Sequence, residues 1–226
     1  MDEKQKFYHS LVFPTFFLFL IWFSLFTEVG LELSFVRLGV FPRELHGLIG
    51  IFTAPLVHAD IKHLADNSVP VFVLSLAIFY FYREIAYKIF FIVYFVSGFL
   101  VWTVGREAYH IGASGLIYGF AAFLFLSGVI RKNMSLLAIS LLVTFLYGSM
   151  IWGILPYDYK ISWESHLMGA VTGIVLAVIY RKQGPERKKY SWEEEEENAA
   201  SEPENLNEEI FPQIKSPDCP GEKQLQ

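Results

Sequence analysis

Apolar residues in this chain come in long blocks separated by short polar breaks, at 7–27, 63–82, 85–104, 114–130, 134–154 and 163–180. Each block approaches the roughly 20 residues that carry a helix across a hydrocarbon layer. Hydrocarbon offers no water to backbone N–H and C=O groups, so such stretches must satisfy them internally as helices. The pattern predicts an all-α polytopic membrane protein, a six-transmembrane-helix bundle over 1–182, followed by a polar tail over 183–226. Two breaks, Arg83-Glu84 and 131–133, are so short that the helices they join must be antiparallel neighbours. The segment 28–62 is longer, rich in Phe, Leu, Val, Ile, Gly and Pro, and is expected to lie partly in the membrane interface.

Composition agrees: 54% of the residues are hydrophobic and 17% aromatic, too apolar for a soluble domain that ends in so polar a stretch. The net charge of −5 hides an uneven distribution, because the run 193–197 and the acids after it carry most of the excess. Lys4, Lys6, Arg83, Lys88, Arg131, Lys132, Arg181, Lys182, Arg187, Lys188 and Lys189 fall on one side of the expected topology. Arg37, Arg43, Lys62, Arg106 and Lys160 fall on the other. By the positive-inside rule both termini are expected in the cytoplasm, in a multi-pass protein of the cell membrane. The first span follows a short basic stretch but has no small-residue cleavage site and is expected to be retained. The tail from Gln183 onward is expected to be disordered, since Glu, Pro, Asn, Ser and Lys bury too little apolar area to offset their ordering entropy. The one cysteine, Cys219, sits in that tail, so no disulfide framework is expected.

Polar residues inside a span are costly and mark candidate sites. In Gly112-Ala113-Ser114-Gly115-Leu116-Ile117-Tyr118-Gly119 a serine stands at the start of the fourth span. Taken alone, such a serine is a small packing residue. The fourth span is short, however, at about 25 Å for 1.5 Å per residue, so Ser114 should lie below the membrane surface. The segment 105–113 must then dip inward and line a water-containing cavity. A helix start there also presents unpaired N–H groups that suit a developing oxyanion. Of six histidines, His166 lies within an apolar span, at the same end as Ser114. Gly169 and Gly173 share its helix face, and Gly115 and Gly119 repeat that spacing beside the serine, so the two backbones can approach closely enough for a Ser–His hydrogen bond. At the entrance of the second span His63 and Asn67 are four apart on one face, and both can donate hydrogen bonds toward Ser114. His58 and Asn67 also have duller readings, as an interfacial histidine and as interhelical glue. A metal box is not expected: six histidines spread this thinly cannot supply a di-iron site, and no His-Glu-x-x-His occurs. No metal and no cofactor are therefore expected.

These motifs together resemble the rhomboid intramembrane serine proteases. The likeness covers spans two to six. It rests on His-x4-His-x3-Asn at His58, His63 and Asn67, on Gly-x-Ser-Gly at Gly112, Ser114 and Gly115, and on His-x2-Gly-x3-Gly at His166, Gly169 and Gly173. The resemblance implies Ser114 as nucleophile and His166 as general base, with no acid completing a triad. It implies an oxyanion hole of His63, Asn67 and the Ser114 N–H, Tyr118 packed on the His166 ring, and a structural His58. The chain lacks the Trp-Arg pair with which many bacterial members brace the first outer loop. The serine motif also differs from the Gly-x-Ser-x-Gly elbow of soluble α/β-hydrolases, since Leu116 replaces the second glycine.

The expected partners are transmembrane protein substrates and the lipid bilayer, with no nucleic acid. Substrates should enter laterally, with span five, carrying Phe145 and Trp152, resembling the family's gate. The alternative is a catalytically inactive rhomboid-like chaperone or quality-control adaptor. A transporter is disfavoured because span polarity is expected to be confined to the serine, histidine and asparagine cluster.

Overall fold

The computed structural model describes residues 2–146, 153–156 and 161–185. Trp152, Lys160, Cys219 and the run 193–197 lie outside the described residues, as does the tail from residue 186. The described chain forms six principal helices: α1 (Glu3–Gly30), α2 (Ile61–Phe81), α3 (Ala86–Val104), α4 (Ser114–Arg131), α5 (Met134–Leu146) and α6 (Trp163–Ile179). The first four are each long and apolar enough to cross a membrane, and α5 and α6 are shorter apolar helices over the described residues. The all-α membrane bundle expected from the hydropathy pattern is the fold observed. Helix ends extend past the apolar blocks where a polar turn continues the hydrogen bonding. Thus α1 begins at Glu3, an acidic first-turn residue that complements the positive end of the helix dipole.

Local chemistry sets the ends that matter for the site. Asp60, in extended geometry, caps α2 by accepting the His63 N–H at 2.7 Å. This fixes the register of His63 and, one turn on, Asn67. The α4–α5 turn closes through Lys132 at φ 51°, with Asn133 N–H donating to Gly128 O at 2.9 Å. Asn133 Oδ1 then accepts from the N–H groups of Ser135 and Leu136 and starts α5. At the same end of the bundle Arg131 donates to the carbonyls of Arg181, Gly184 and Pro185 at 2.8–3.0 Å, so the packed chain continues to Pro185.

α4 is the central helix, with Phe120, Phe123 and Leu124 fully enclosed. Around it α1 packs on α3 through aromatic edges, Phe13 and Phe17 meeting Phe90 with ring centroids 4.8 and 5.0 Å apart, and on α2 through the stacked Phe13–Phe79 pair. The serines of the spans show how hydroxyls are satisfied here. Ser10, Ser68, Ser75, Ser97 and Ser140 each donate to the carbonyl four residues back in their own helix.

The connection between α1 and α2 has its own bracing, which answers the missing Trp-Arg pair. Val40 and His110 exchange both backbone hydrogen bonds at 2.9 Å. Arg43 donates from its backbone to Trp102 O at 2.9 Å and from Nη1 to Gly105 O at 2.8 Å. Trp102 Nε1 donates to Glu44 O at 2.9 Å, and the Tyr94 hydroxyl to Phe52 O at 2.6 Å. A tryptophan and an arginine thus still hold the connection, from opposite sides of the contact. Leu45, Ile49 and Phe52 remain exposed, as an interfacial segment requires.

Candidate functional site

The α4–α6 contact is backbone on backbone. A Cβ at Gly169 would land on the Gly115 carbonyl, and one at Gly173 on the Gly119 carbonyl. Glycine at these points is what lets Ser114, at the first position of α4, meet His166, at the end of the first turn of α6. The His166 Nε2 to Ser114 Oγ distance is 2.8 Å. On the far side of the ring, Nδ1 lies 2.7 Å from Gly153 O. A carbonyl only accepts, so Nδ1 carries the proton and Nε2 is left as an acceptor for the serine hydroxyl. Ser114 therefore departs from Ser10, Ser68, Ser75, Ser97 and Ser140: its hydroxyl is spent on a base in another helix. Tyr118, one turn along α4, stacks on the imidazole with centroids 4.2 Å apart and planes 11° apart, fixing the ring from its face.

The segment 105–113 is pinned from two sides, by the Val40–His110 bridge and by Gly112 N–H donating to Ala54 O at 2.9 Å. Gly112 takes φ +100°, which disfavours any side chain. Its missing side chain also leaves room for the His63 ring, since a Cβ there would come within 2.8 Å of His63 Cε1 and 3.5 Å of Asn67 Nδ2. His63 and Asn67 thus converge on the turn just before Ser114. Asn67 is buried, and its Nδ2 has no hydrogen-bond partner among the described residues. As the first helical residue, Ser114 also has no intrahelical carbonyl for its own N–H.

His58 stands behind this turn. Burial, then the neighbouring His63, push its pKa down to about 3, so the ring is neutral at physiological pH. In that state Nε2 accepts the Ala113 N–H at 3.4 Å, and the ring meets His63 edge-on with centroids 5.0 Å apart. His58, His63, Asn67, Gly112, Ser114, Gly115, Tyr118 and His166 are gathered at the end of the bundle where α2, α4 and α6 begin, and Gly169 and Gly173 run from there along the α4–α6 contact.

Other residues at this end carried no signal in those motifs. Gly153 enters through its carbonyl. Glu164, two residues before His166, is buried and pairs with Arg106, Nη1 to Oε1 at 3.6 Å. The expectation that span polarity is confined to serine, histidine and asparagine therefore does not hold, because α6 carries a carboxylate in its first turn. The available signal was a glutamate inside an apolar block, at the end to which the expected topology also assigns Arg106. Phe145, expected on the gate helix, is exposed on α5.

A serine hydroxyl bonded to a neutral imidazole, beside unpaired donors and a fresh helix start, has the parts needed for acyl transfer. Comparison with known proteins bears on the framework. The Rhomboid domain family matches residues 45–183. Uncharacterized proteins of Mycobacterium tuberculosis and Mycobacterium bovis are 37% identical over 165 residues, covering 66% of this chain and 65% of theirs. An uncharacterized protein of Mycobacterium leprae is 34% identical over 151 residues, covering 62% of this chain and 59% of its own. The chain thus spans 59–65% of the length of these relatives. With the family match covering more than half of its residues, this multi-pass membrane chain belongs to the rhomboid family.

Proposed function

We propose that this protein is an intramembrane serine endopeptidase that cuts membrane protein substrates in or near a transmembrane segment. The observation that carries this reading is the His166 imidazole, oriented by Gly153 O and accepting at 2.8 Å from Ser114 Oγ. His166 Nε2 takes the Ser114 proton as Oγ attacks the peptide carbonyl carbon. The oxyanion accepts from His63, from Asn67 Nδ2 and from the Ser114 N–H. The imidazolium then protonates the leaving amine, and water hydrolyses the acyl-enzyme by the same route in reverse. Gly153 O does what a carboxylate does in a triad, holding the tautomer, but without its negative charge.

A substrate helix enters beside α5, and its end unwinds, because a carbonyl held in an intact helix is closed to attack. Favoured substrates carry small or helix-breaking residues near the membrane edge at the serine end. The protein sits in the cell membrane with both termini cytoplasmic, so the serine end faces outward.

The test is cleavage of a reporter transmembrane substrate by the purified full chain in detergent, with Ser114→Ala and His166→Ala alongside. Both variants are expected to lose cleavage. Cleavage retained in both overturns the proposal. Wild-type protein that neither cleaves nor reacts with a fluorophosphonate at Ser114 points instead to the inactive adaptor.

A further inference from the structure

Glu164 is a carboxylate only 3% exposed, in a helix that otherwise excludes charge, and the chemistry above makes no use of it. Burying it costs desolvation that one pair with Arg106 repays only in part. One of its oxygens, Oε2, has no hydrogen-bond partner among the described residues. Such a residue needs a reason.

Arg106 supplies the first part of one. Its Nη1 faces Glu164 Oε1 at 3.6 Å, while its Nη2 donates to Ile161 O at 2.8 Å. One guanidinium from the 105–113 segment therefore grips both the chain entering α6 and the first turn of that helix. His110, in the same segment, supplies the second part. Its Nε2 lies 3.1 Å from Arg106 O, an acceptor, so Nε2 carries the proton and Nδ1 accepts from the Ser162 hydroxyl at 2.6 Å. Ser162 Oγ in turn lies 2.6 Å from Ser165 Oγ. Ser162 holds the N-cap position of α6 yet makes no side-chain cap to its own helix. Its hydroxyl is turned outward to His110. The far end of this chain abuts α4: the space a Cβ would fill at Gly115 ends 3.2 Å from Ser165 O.

We propose that the Arg106–Glu164 ion pair and the His110–Ser162–Ser165 hydrogen-bond chain form one strut that sets the start of α6, and with it His166, against the segment that delivers Ser114. Glu164 is its positioning residue, touching neither serine nor substrate. The kinetic readout of this inference rests on the protease reading above.

The test compares wild type, Glu164→Gln, Arg106→Lys, Arg106→Gln and the double variant Arg106→Gln/Glu164→Gln as full chains in detergent. Four quantities are measured: kcat and KM on the reporter substrate, the rate of Ser114 labelling by a fluorophosphonate, the thermal midpoint, and the His166 ring-nitrogen NMR signals in ¹⁵N-histidine protein. Glu164→Gln keeps shape and removes charge. It is expected to lower kcat and labelling rate together by about 10- to 100-fold, the scale of a misplacement approaching 1 Å, with KM within about twofold. The His166 ring signals are expected to move. Arg106→Lys should retain more rate than Arg106→Gln, and the double variant should lose less than the product of the singles. A purely structural role would move the midpoint alone. Folded Glu164→Gln with wild-type kcat, labelling and ring signals overturns the strut. If wild type itself neither cleaves nor labels, the protease reading fails instead. The ring signals then decide the strut by themselves, displacement supporting it and constancy overturning it.

Discussion

Replacing Gly169 by alanine puts one methyl group where α6 meets α4. That Cβ would sit 2.9 Å from the Gly115 carbonyl carbon and 3.2 Å from Gly115 Cα, and nearer still to the carbonyl oxygen. The oxygen contact is the tightest, so the helices must part by on the order of 1 Å at this level to reach ordinary van der Waals separation. Backbone cannot rotate out of the way as a side-chain tip can. His166 lies one turn from Gly169 on the same face, so most of the displacement reaches the 2.8 Å bond to Ser114 and stretches it to about 3.5 Å, past useful hydrogen-bonding distance. A loss of kcat of roughly 10²-fold follows. Stability should change less: overpacking costs about 1–3 kcal/mol, and alanine returns about 1 kcal/mol over glycine in a helix. Gly115→Ala is the internal gauge. Its Cβ has its tightest contact with Ser165 O, at 3.2 Å, a misfit of a few tenths of an ångström, and the expected loss is under about tenfold. Both variants are assayed by reporter cleavage and fluorophosphonate labelling at matched folded fraction. Folded Gly169→Ala with kcat within about twofold of wild type, or a smaller effect than Gly115→Ala, would refute the claim that backbone contact sets the Ser–His distance.

Asn67→Ala should lower kcat by about 10²–10³-fold, the usual cost of one oxyanion donor. The thermal midpoint should hold or rise, because Nδ2 has no hydrogen-bond partner among the described residues to lose; kinetics and calorimetry on the same sample check both. For His58, whose folded pKa is depressed from 6.5 to about 3, the neutral form is the one favoured in the fold. Its contribution is present in full above about pH 6.5 and is lost as pH falls toward 3, on the order of 4–5 kcal/mol at most. Unfolding midpoints between pH 7 and 4 should therefore slope downward in wild type and more shallowly in His58→Gln. Arg43→Ala removes the Nη1 bond to Gly105 O and should cost about 1 kcal/mol, read as faster hydrogen exchange near residue 43. The backbone bond to Trp102 should keep that connection from detaching.

Hydropathy alone was enough to find the six principal helices, though not the short helical turns between α1 and α2, because a hydrocarbon environment demands long apolar runs and little else. The Ser114, His166, His63 and Asn67 set was legible for a related reason: polar groups are expensive at that depth, so the few present stand out. Gly112, Gly115, Gly169 and Gly173 were legible through spacing, although only the folded chain shows that Gly112 is required by φ and by the His63 ring, and Gly169 and Gly173 by opposing carbonyls. The pairing of Arg106 with Glu164 was not legible. Arg106 enters the sequence reading only as a charge on the outer side, Glu164 enters it with no role, and the contact joins residues far apart in sequence. The bracing by Arg43 and Trp102 escaped for the same reason, compounded by its reliance on main-chain acceptors, which no residue type announces.

Gly153 raises that last point to a property of the molecule. Where a carboxylate orients a base, evolution or an engineer can delete the orienting group by changing one codon. A main-chain carbonyl has no such handle. Every amino acid offers the same oxygen, so residue identity at 153 is tolerant in principle, while the path of the chain is not. One residue added or removed just before 153 would carry a different carbonyl to the imidazole, or none. Sequence drift there is expected to be broad at constant length, and insertions should be silencing.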